Sequence, residues 1–210
     1  MAIKDEIREL ADRYAATLKE KLEERVEEML TDDTSHYLIY HVLGISREEG
    51  QQIDIYQNKG RFLYKYAGSF LEEAAKLCFK CKDERACSVR IDNTLGTRPK
   101  KFEIDCVYGN EAIEIKWRDA TTDGDHITKE HTRLKVVSEA GYHPIRVMFY
   151  YPNREQAIRI QQALETLYRG LGGAYYYGDQ AWEFVRTETG TDLRQILTEL
   201  AEERINARGS

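Results

Sequence analysis

The sequence predicts an α/β fold, α+β in its chain order, with a central mixed β-sheet flanked by helices behind a long N-terminal helix. Three observations carry that prediction. Residues 3–30 repeat apolar side chains at spacings of three and four. Residues 102–117 alternate apolar and polar side chains in two runs joined by Gly109-Asn110. A helical stretch over 127–140, closed by Gly141, then leads into an apolar strand over 144–151. A hairpin followed by a helix-to-strand step gives the order β-β-α-β, which sets helices against a sheet.

In the first element, Ile3, Ile7, Leu10, Tyr14, Leu18, Leu22, Val26 and Met29 form a narrow stripe, and Thr31-Asp32-Asp33 stops the helix. Such a stripe suits core packing or a second subunit. Residues 35–44 read as a short buried helix ending at Gly44, with His36 and His41 packed among aromatics. Ser46-Arg-Glu-Glu49 has the form of a capping box. Residues 51–58 are ambiguous and Lys59-Gly60 marks a break. A helix over 61–82 then turns Leu63, Phe70, Leu71, Ala74, Cys78 and Cys81 inward, with Glu72 and Glu73 at the margin of that face. Residues 83–101 read as an irregular polar segment carrying Arg98, Lys100 and Lys101.

The hairpin holds the residues of greatest chemical interest. Glycine supplies the positive φ of a two-residue turn, and the turn fixes the register. Tyr108 then faces Glu111, Val107 faces Ala112, Cys106 faces Ile113, Asp105 faces Glu114 and Glu103 faces Lys116. Like charges directly opposite are destabilising. A divalent cation between Asp105 and Glu114 removes that penalty, and hard oxygen ligands suit Mg2+. Lys116 could then orient a water or stabilise phosphate charge. The plain alternative is a solvated hairpin face with an ordinary Glu103–Lys116 ion pair.

Past the hairpin, the loop and helix over 118–135 carry Arg118, Thr121, Thr122, Asp123, Asp125, His126, Lys129, Arg133 and Lys135. Side chains of these types read base edges in a groove or meet phosphates. A further helix is expected over 154–169. The stretch Gly170–Gly178 interrupts it, and without a strand–loop–helix context it implies no nucleotide cofactor. Tyr175, Tyr176 and Tyr177 on that loop either pack or stack on nucleic acid. Helices over 182–185 and 192–205, the second capped by Asp192, finish the chain.

Charge and composition narrow the function classes. The net charge of −6 over 210 residues argues against a passive nucleic-acid coat. Residues 1–33 carry 6 basic and 11 acidic side chains, whereas residues 80–135 carry 12 basic and 11 acidic. Four of those 11 acids lie in the hairpin, so cation binding would leave the middle region positive. No apolar run approaches the roughly 20 residues that span a bilayer. Without a signal peptide at the N-terminus, a cytoplasmic location is expected. Cys78-x-x-Cys81 followed by Cys87 invites zinc, but no fourth ligand lies nearby, and buried free thiols are the favoured reading.

Together these elements resemble the PD-(D/E)xK nuclease fold, in which an Asp on one strand and Glu-x-Lys on the next bind Mg2+ beside the scissile phosphate. The matching residues are Asp105 and Glu114-Ile115-Lys116, although Ile104 stands where the motif has proline. A glutamate on the preceding helix often assists in that fold, and Glu72 or Glu73 would fill that place. The run Lys116-Trp-Arg-Asp-Ala-Thr-Thr-Asp-Gly-Asp-His-Ile-Thr-Lys-Glu-His131, with the Tyr-His-Pro-Ile-Arg-Val strand, looks like ApaLI-type type II restriction endonucleases. The resemblance implies a restriction-endonuclease-like core and a homodimer that cuts double-stranded DNA at a short palindrome, a GTGCAC-like hexamer, leaving 5′-phosphate ends. It implies Mg2+ held by Asp105, Glu114 and the Ile115 carbonyl, with Lys116 orienting water. One nuclease domain over 1–210 is expected: residues 1–33 as a dimerisation or packing helix, 60–152 as the catalytic core and 153–208 as C-terminal helices. Two alternatives remain: a repair or structure-specific nuclease of the same fold, and a non-catalytic interaction domain suggested by the acidic first helix.

Overall fold

A computed structural model describes residues 2–118 and 125–208. Its chain divides into two compact units, Met1–Ile7 with Leu71–Ser210, and Arg8–Phe70. The larger unit contains the sheet. Its described strands are β1 (Cys87–Asp92), β2 (Lys101–Tyr108), β3 (Glu111–Arg118), β4 (His143–Tyr150) and β5 (Ala174–Tyr177), side by side in that order. β1, β2 and β3 pair antiparallel; β3, β4 and β5 pair parallel. The mixed sheet expected from the sequence is therefore present, with two strands more than the sequence reading supplied.

The hairpin register agrees with the expected one at Tyr108↔Glu111, Val107↔Ala112 and Cys106↔Ile113. Gly109 has the φ of 59° that the turn needs. The ladder then ends. Asp105↔Glu114 and Glu103↔Lys116 do not continue it, because β2 is irregular between its pairings Cys87↔Val107 and Val89↔Ile104. An extra residue in a strand bends it and re-aims its side chains. Glu103 pairs instead with Arg90 on β1, whose Nε donates to Glu103 Oε2 at 3.0 Å.

Both faces of the sheet are covered. On one, α4 (Asp125–Glu139) and α5 (Glu155–Gly170) build a core of Leu134, Ile160, Leu164, Tyr168 and Tyr175. Val137 of α4 adds to this layer by packing with Ile104 and Ala112. On the other, α6 (Asp179–Thr189) stacks Phe184 on Tyr176. Phe184 in turn meets Phe79, which lies near the C-terminal end of α3 (Arg47–Lys82) and also touches Tyr108. Burial on both faces explains why β4 is apolar over 144–149 except at the buried Arg146. α7 (Leu193–Arg208) is capped by Asp192 Oδ1, which accepts from the Gln195 amide at 2.9 Å, as expected. Glu199 of α7 holds Lys4 at 2.7 Å, in the first turns of α1 (Ile3–Leu30).

Several local expectations are overturned. Residues 87–92 form β1 rather than an irregular segment. Gly170–Gly178 contains β5, and Tyr175 is buried with its hydroxyl donating to Gln161 Oε1 at 2.7 Å, so it is not a tyrosine on a free loop. α3 runs unbroken through Lys59-Gly60, because one glycine costs a long helix only about 1 kcal/mol. At its N-terminus Ser46 Oγ accepts from the Glu49 amide at 3.1 Å, one of the two bonds of the expected capping box. Cys81 is exposed rather than inward.

In the smaller unit, α1 and α3 are joined by Tyr14 against Tyr66 and Phe70, and by Arg25 Nε donating to Asn58 Oδ1 at 3.3 Å. α2 (Tyr37–Val42) is not the buried helix expected. It buries Tyr37 but exposes Leu38, Ile39 and Val42, as well as Leu43 just beyond it. His36 stands edge-on to Tyr37 and Tyr40 and pairs with Asp54.

Candidate active site

Asp105 lies within β2 at the irregularity, and Glu114 and Lys116 project from one face of β3. The three come together. Lys116 Nζ lies 2.6 Å from Glu114 Oε1 and 3.7 Å from Asp105 Oδ2. The Ile115 amide donates to Asp105 Oδ2 at 2.8 Å, which ties the Asp105 carboxylate to β3 although the ladder has ended. Both carboxylates are largely removed from solvent.

Behind Glu114 lies a layer of charge that the sequence reading missed. Arg133 of α4 donates through Nη2 to Glu114 Oε2, and to the Glu103 carbonyl at 2.9 Å. Its Nη1 reaches Glu130 Oε1 at 3.3 Å. That same oxygen receives Arg146 Nη1 at 3.4 Å and the Tyr168 hydroxyl at 2.7 Å. Arg146 is fully buried in β4. One signal was legible: an arginine inside the apolar run Pro-Ile-Arg-Val-Met-Phe must find an anion in the core.

The two carboxylates respond to this surrounding in opposite directions. For Asp105, burial and then the Glu114 charge push the carboxyl up to about 7, with Glu72 adding to the rise and Lys116 opposing it. For Glu114, burial also pushes upward, but Arg133, Lys116 and Arg146 outweigh it and hold the group down at about 2. Lys116 is lowered by burial and raised more by Glu114 and Asp105, so it keeps its proton. On α3, Glu72 Oε1 accepts from Lys76 Nζ at 2.9 Å. The Glu72 charge is among those that bear on Asp105.

A model of the ApaLI-like restriction endonuclease family matches residues 1–202. The chain belongs to the ApaLI-like restriction endonuclease family. Membership makes this ApaLI-like chain a nuclease and a hydrolase that binds DNA, in a family that commonly uses a divalent metal. No curated protein and no solved structure matches it. Among the described residues, no helix is long and apolar enough to cross a membrane.

The residues present fit a hard divalent cation. Asp105 is a buried acid held high mainly by burial and by a second carboxylate, and a cation beside it would relieve both causes. Among the described residues, no group of three His, Cys, Asp or Glu side chains could hold an ion by itself. Of the cysteines that invite zinc, Cys78 is a buried thiol pushed up to about 12 by burial, whereas Cys81 and Cys87 are exposed.

The residues expected to meet DNA divide. Arg98, Lys100, Lys101, Arg118 and Lys129 are exposed, and Lys101 also pairs with Asp92 at 3.2 Å. Thr121, Thr122 and Asp123 lie outside the described residues, while Asp125 and His126 begin α4. Arg133 does not belong with them. Its side chain is 12% exposed and is spent on Glu114 and Glu130. A groove of about 830 Å³ beside β5 and α6 lies away from the carboxylates, and its Arg186 and Arg194 are engaged by Glu183 and Asp179.

Proposed function

We propose that this ApaLI-like chain is a type II restriction endonuclease that hydrolyses double-stranded DNA at a short palindrome, with Asp105, Glu114 and Lys116 as catalytic residues and Mg2+ as cofactor. The observation that carries the reading is the meeting of an Asp, a Glu and a Lys within 2.6 to 3.7 Å, beside an Asp that burial has left in need of a cation. Asp105, Glu114 and the Ile115 carbonyl would hold the ion. When bound, Mg2+ supplies Lewis acidity at the phosphate and acidifies water.

The remaining chemistry falls to the chain. Asp105, tied to the Ile115 amide, presents its other oxygen at a fixed place. Lys116, protonated and partly exposed, orients the attacking water and stabilises charge growing on the phosphate oxygens. Attack in line with the leaving 3′ oxygen breaks the P–O3′ bond, leaving a 5′-phosphate and a 3′-hydroxyl. Glu72 assists by adding negative charge beside Asp105, and Glu73, its neighbour on α3, is the second candidate for that place. Arg98, Lys100, Lys101, Arg118 and Lys129 would meet phosphates, and the segment from Thr121 to His126 would read bases in a GTGCAC-like site.

A palindrome pairs naturally with a two-fold protein, so a homodimer would set one site on each strand. Leu38, Ile39, Val42 and Leu43 expose between 59% and 74% of their surface, apolar area of the kind that a second copy would cover.

Plasmid digestion with Mg2+, followed by sequencing of the ends, tests the proposal. Discrete fragments with 5′-phosphates are expected, and Asp105→Ala, Glu114→Ala and Lys116→Ala should each abolish them while the proteins remain folded. Smears, structure-dependent nicking, or full cleavage by the Lys116→Ala protein would overturn it.

A further inference from the structure

Five side chains form a line of alternating charge from the exposed rim of the site into the core: Lys116, Glu114, Arg133, Glu130 and Arg146. Lys116 and Arg133 take different oxygens of Glu114. The carboxylate is thereby gripped from two sides, and its charge is already answered before any metal arrives. Lys116 is a third exposed and has room to leave. Arg133 does not: it is fixed through the Glu103 carbonyl and through Glu130, which Tyr168 and Arg146 fix in turn.

From this geometry we propose that Arg133 is a positioning residue for the cation site, orienting Glu114 while its own charge holds down the site's affinity for a divalent ion. The proposal rests on the reading of Asp105 and Glu114 as cation ligands. Arginine suits the task because its planar fork serves Glu114, Glu103 and Glu130 at once and never gives up its proton. A cation arriving at Glu114 meets the repulsion of Arg133 at short range, in surroundings that screen it poorly. Glu130 moderates this. It shares its charge between Arg133 and Arg146, so the repulsion felt at Glu114 depends on a residue that never touches the ion.

Calorimetric titration of the whole protein with Ca2+, in the absence of DNA, tests the proposal. Arg133→Gln keeps an N–H for Glu114 but removes the charge, and should tighten Ca2+ binding at least about tenfold. Its single-turnover cleavage in Mg2+ should nevertheless fall, because glutamine lacks the fork that fixes the Glu114 partner through the Glu103 carbonyl and Glu130. Arg133→Lys restores the charge without the fork: its Ca2+ affinity should return to within about threefold of the original, with cleavage only partly recovered. Glu130→Gln should move affinity the other way and weaken Ca2+ binding, which gives a second reading if Arg133→Gln melts early. A residue needed only for folding would lower affinity and cleavage together in every variant. Binding by the original protein with no tightening in Arg133→Gln and no weakening in Glu130→Gln overturns the role of Arg133 alone. If none of the proteins binds Ca2+, the cation reading falls, and the proposal with it.

Discussion

Asp105 and Glu114 share one surrounding, yet one is pushed well above the usual carboxylate range and the other is held below it. The difference is which partner lies closer: Glu114 has two cations on its oxygens, while Asp105 has a backbone amide and a more distant lysine. Paired acids pushed apart in this way mark sites where charge is to be managed. The consequence is measurable in the metal-free protein. Folded Asp105 keeps its proton up to about pH 7, against 3.8 for an ordinary aspartate, so the folded state binds more protons across that window. Stability should therefore decline as pH rises through it, by on the order of 4 kcal/mol. Glu114 acts in the opposite sense: its stabilisation is present above 4.5 and is lost as pH falls toward 2. Denaturant titrations between about pH 4 and pH 8 should show the decline, and Asp105→Asn should flatten it while leaving the acid limb in place. Saturating Mg2+ should flatten it too. A variant that declines as steeply as the original would rule out Asp105 as the source.

At the level of the elements, α3 runs from Arg47 to Lys82 without interruption and carries Glu72. Gly60 has a helical backbone, and a Cβ built on it meets nothing within 4 Å. Gly60→Ala should then stabilise the protein by about 0.5–1 kcal/mol through helix propensity alone. A loss of stability in urea unfolding would show instead that the glycine serves a close approach. The same glycine marks a limit of reading sequence locally: Lys59-Gly60 looks like a break, but packing on both sides carries the helix across it. The hairpin was legible because its turn, its alternation and its register are all local. β5 was not. It is four residues long, lies between glycines and pairs in parallel with a strand 24 or more residues earlier, so no turn announces it. β1 did leave a trace in the alternation of Val89 and Ile91 with Ser88, Arg90 and Asp92, hidden by its polar edge position. Asp105, Glu114 and Lys116 could be named from spacing. Arg133 could not be assigned its place, because nothing local distinguishes a basic residue that turns inward from one that meets phosphate.

For the molecule as a whole, the proposed homodimer should sediment at twice the mass of one chain, and replacing Val42 and Leu43 by aspartate should lower that mass without changing helix content. A single-chain mass for the unaltered protein at micromolar concentration would oppose it. DNA binding in Ca2+ should weaken steeply with salt, and Lys100→Ala or Lys129→Ala should each reduce the logarithmic salt slope by roughly one if that residue meets a phosphate. The thiols offer a different view of the same molecule. Cys78 and Cys106 are buried, while Cys81 and Cys87 are exposed, one in the last turn of α3 and the other at the start of β1. A maleimide should label two positions in the folded chain and reach the other two only when α3 lifts from the sheet. The four cysteines thus act as a built-in clock: two start at once, and the delay of the other two times how often α3 parts from β2.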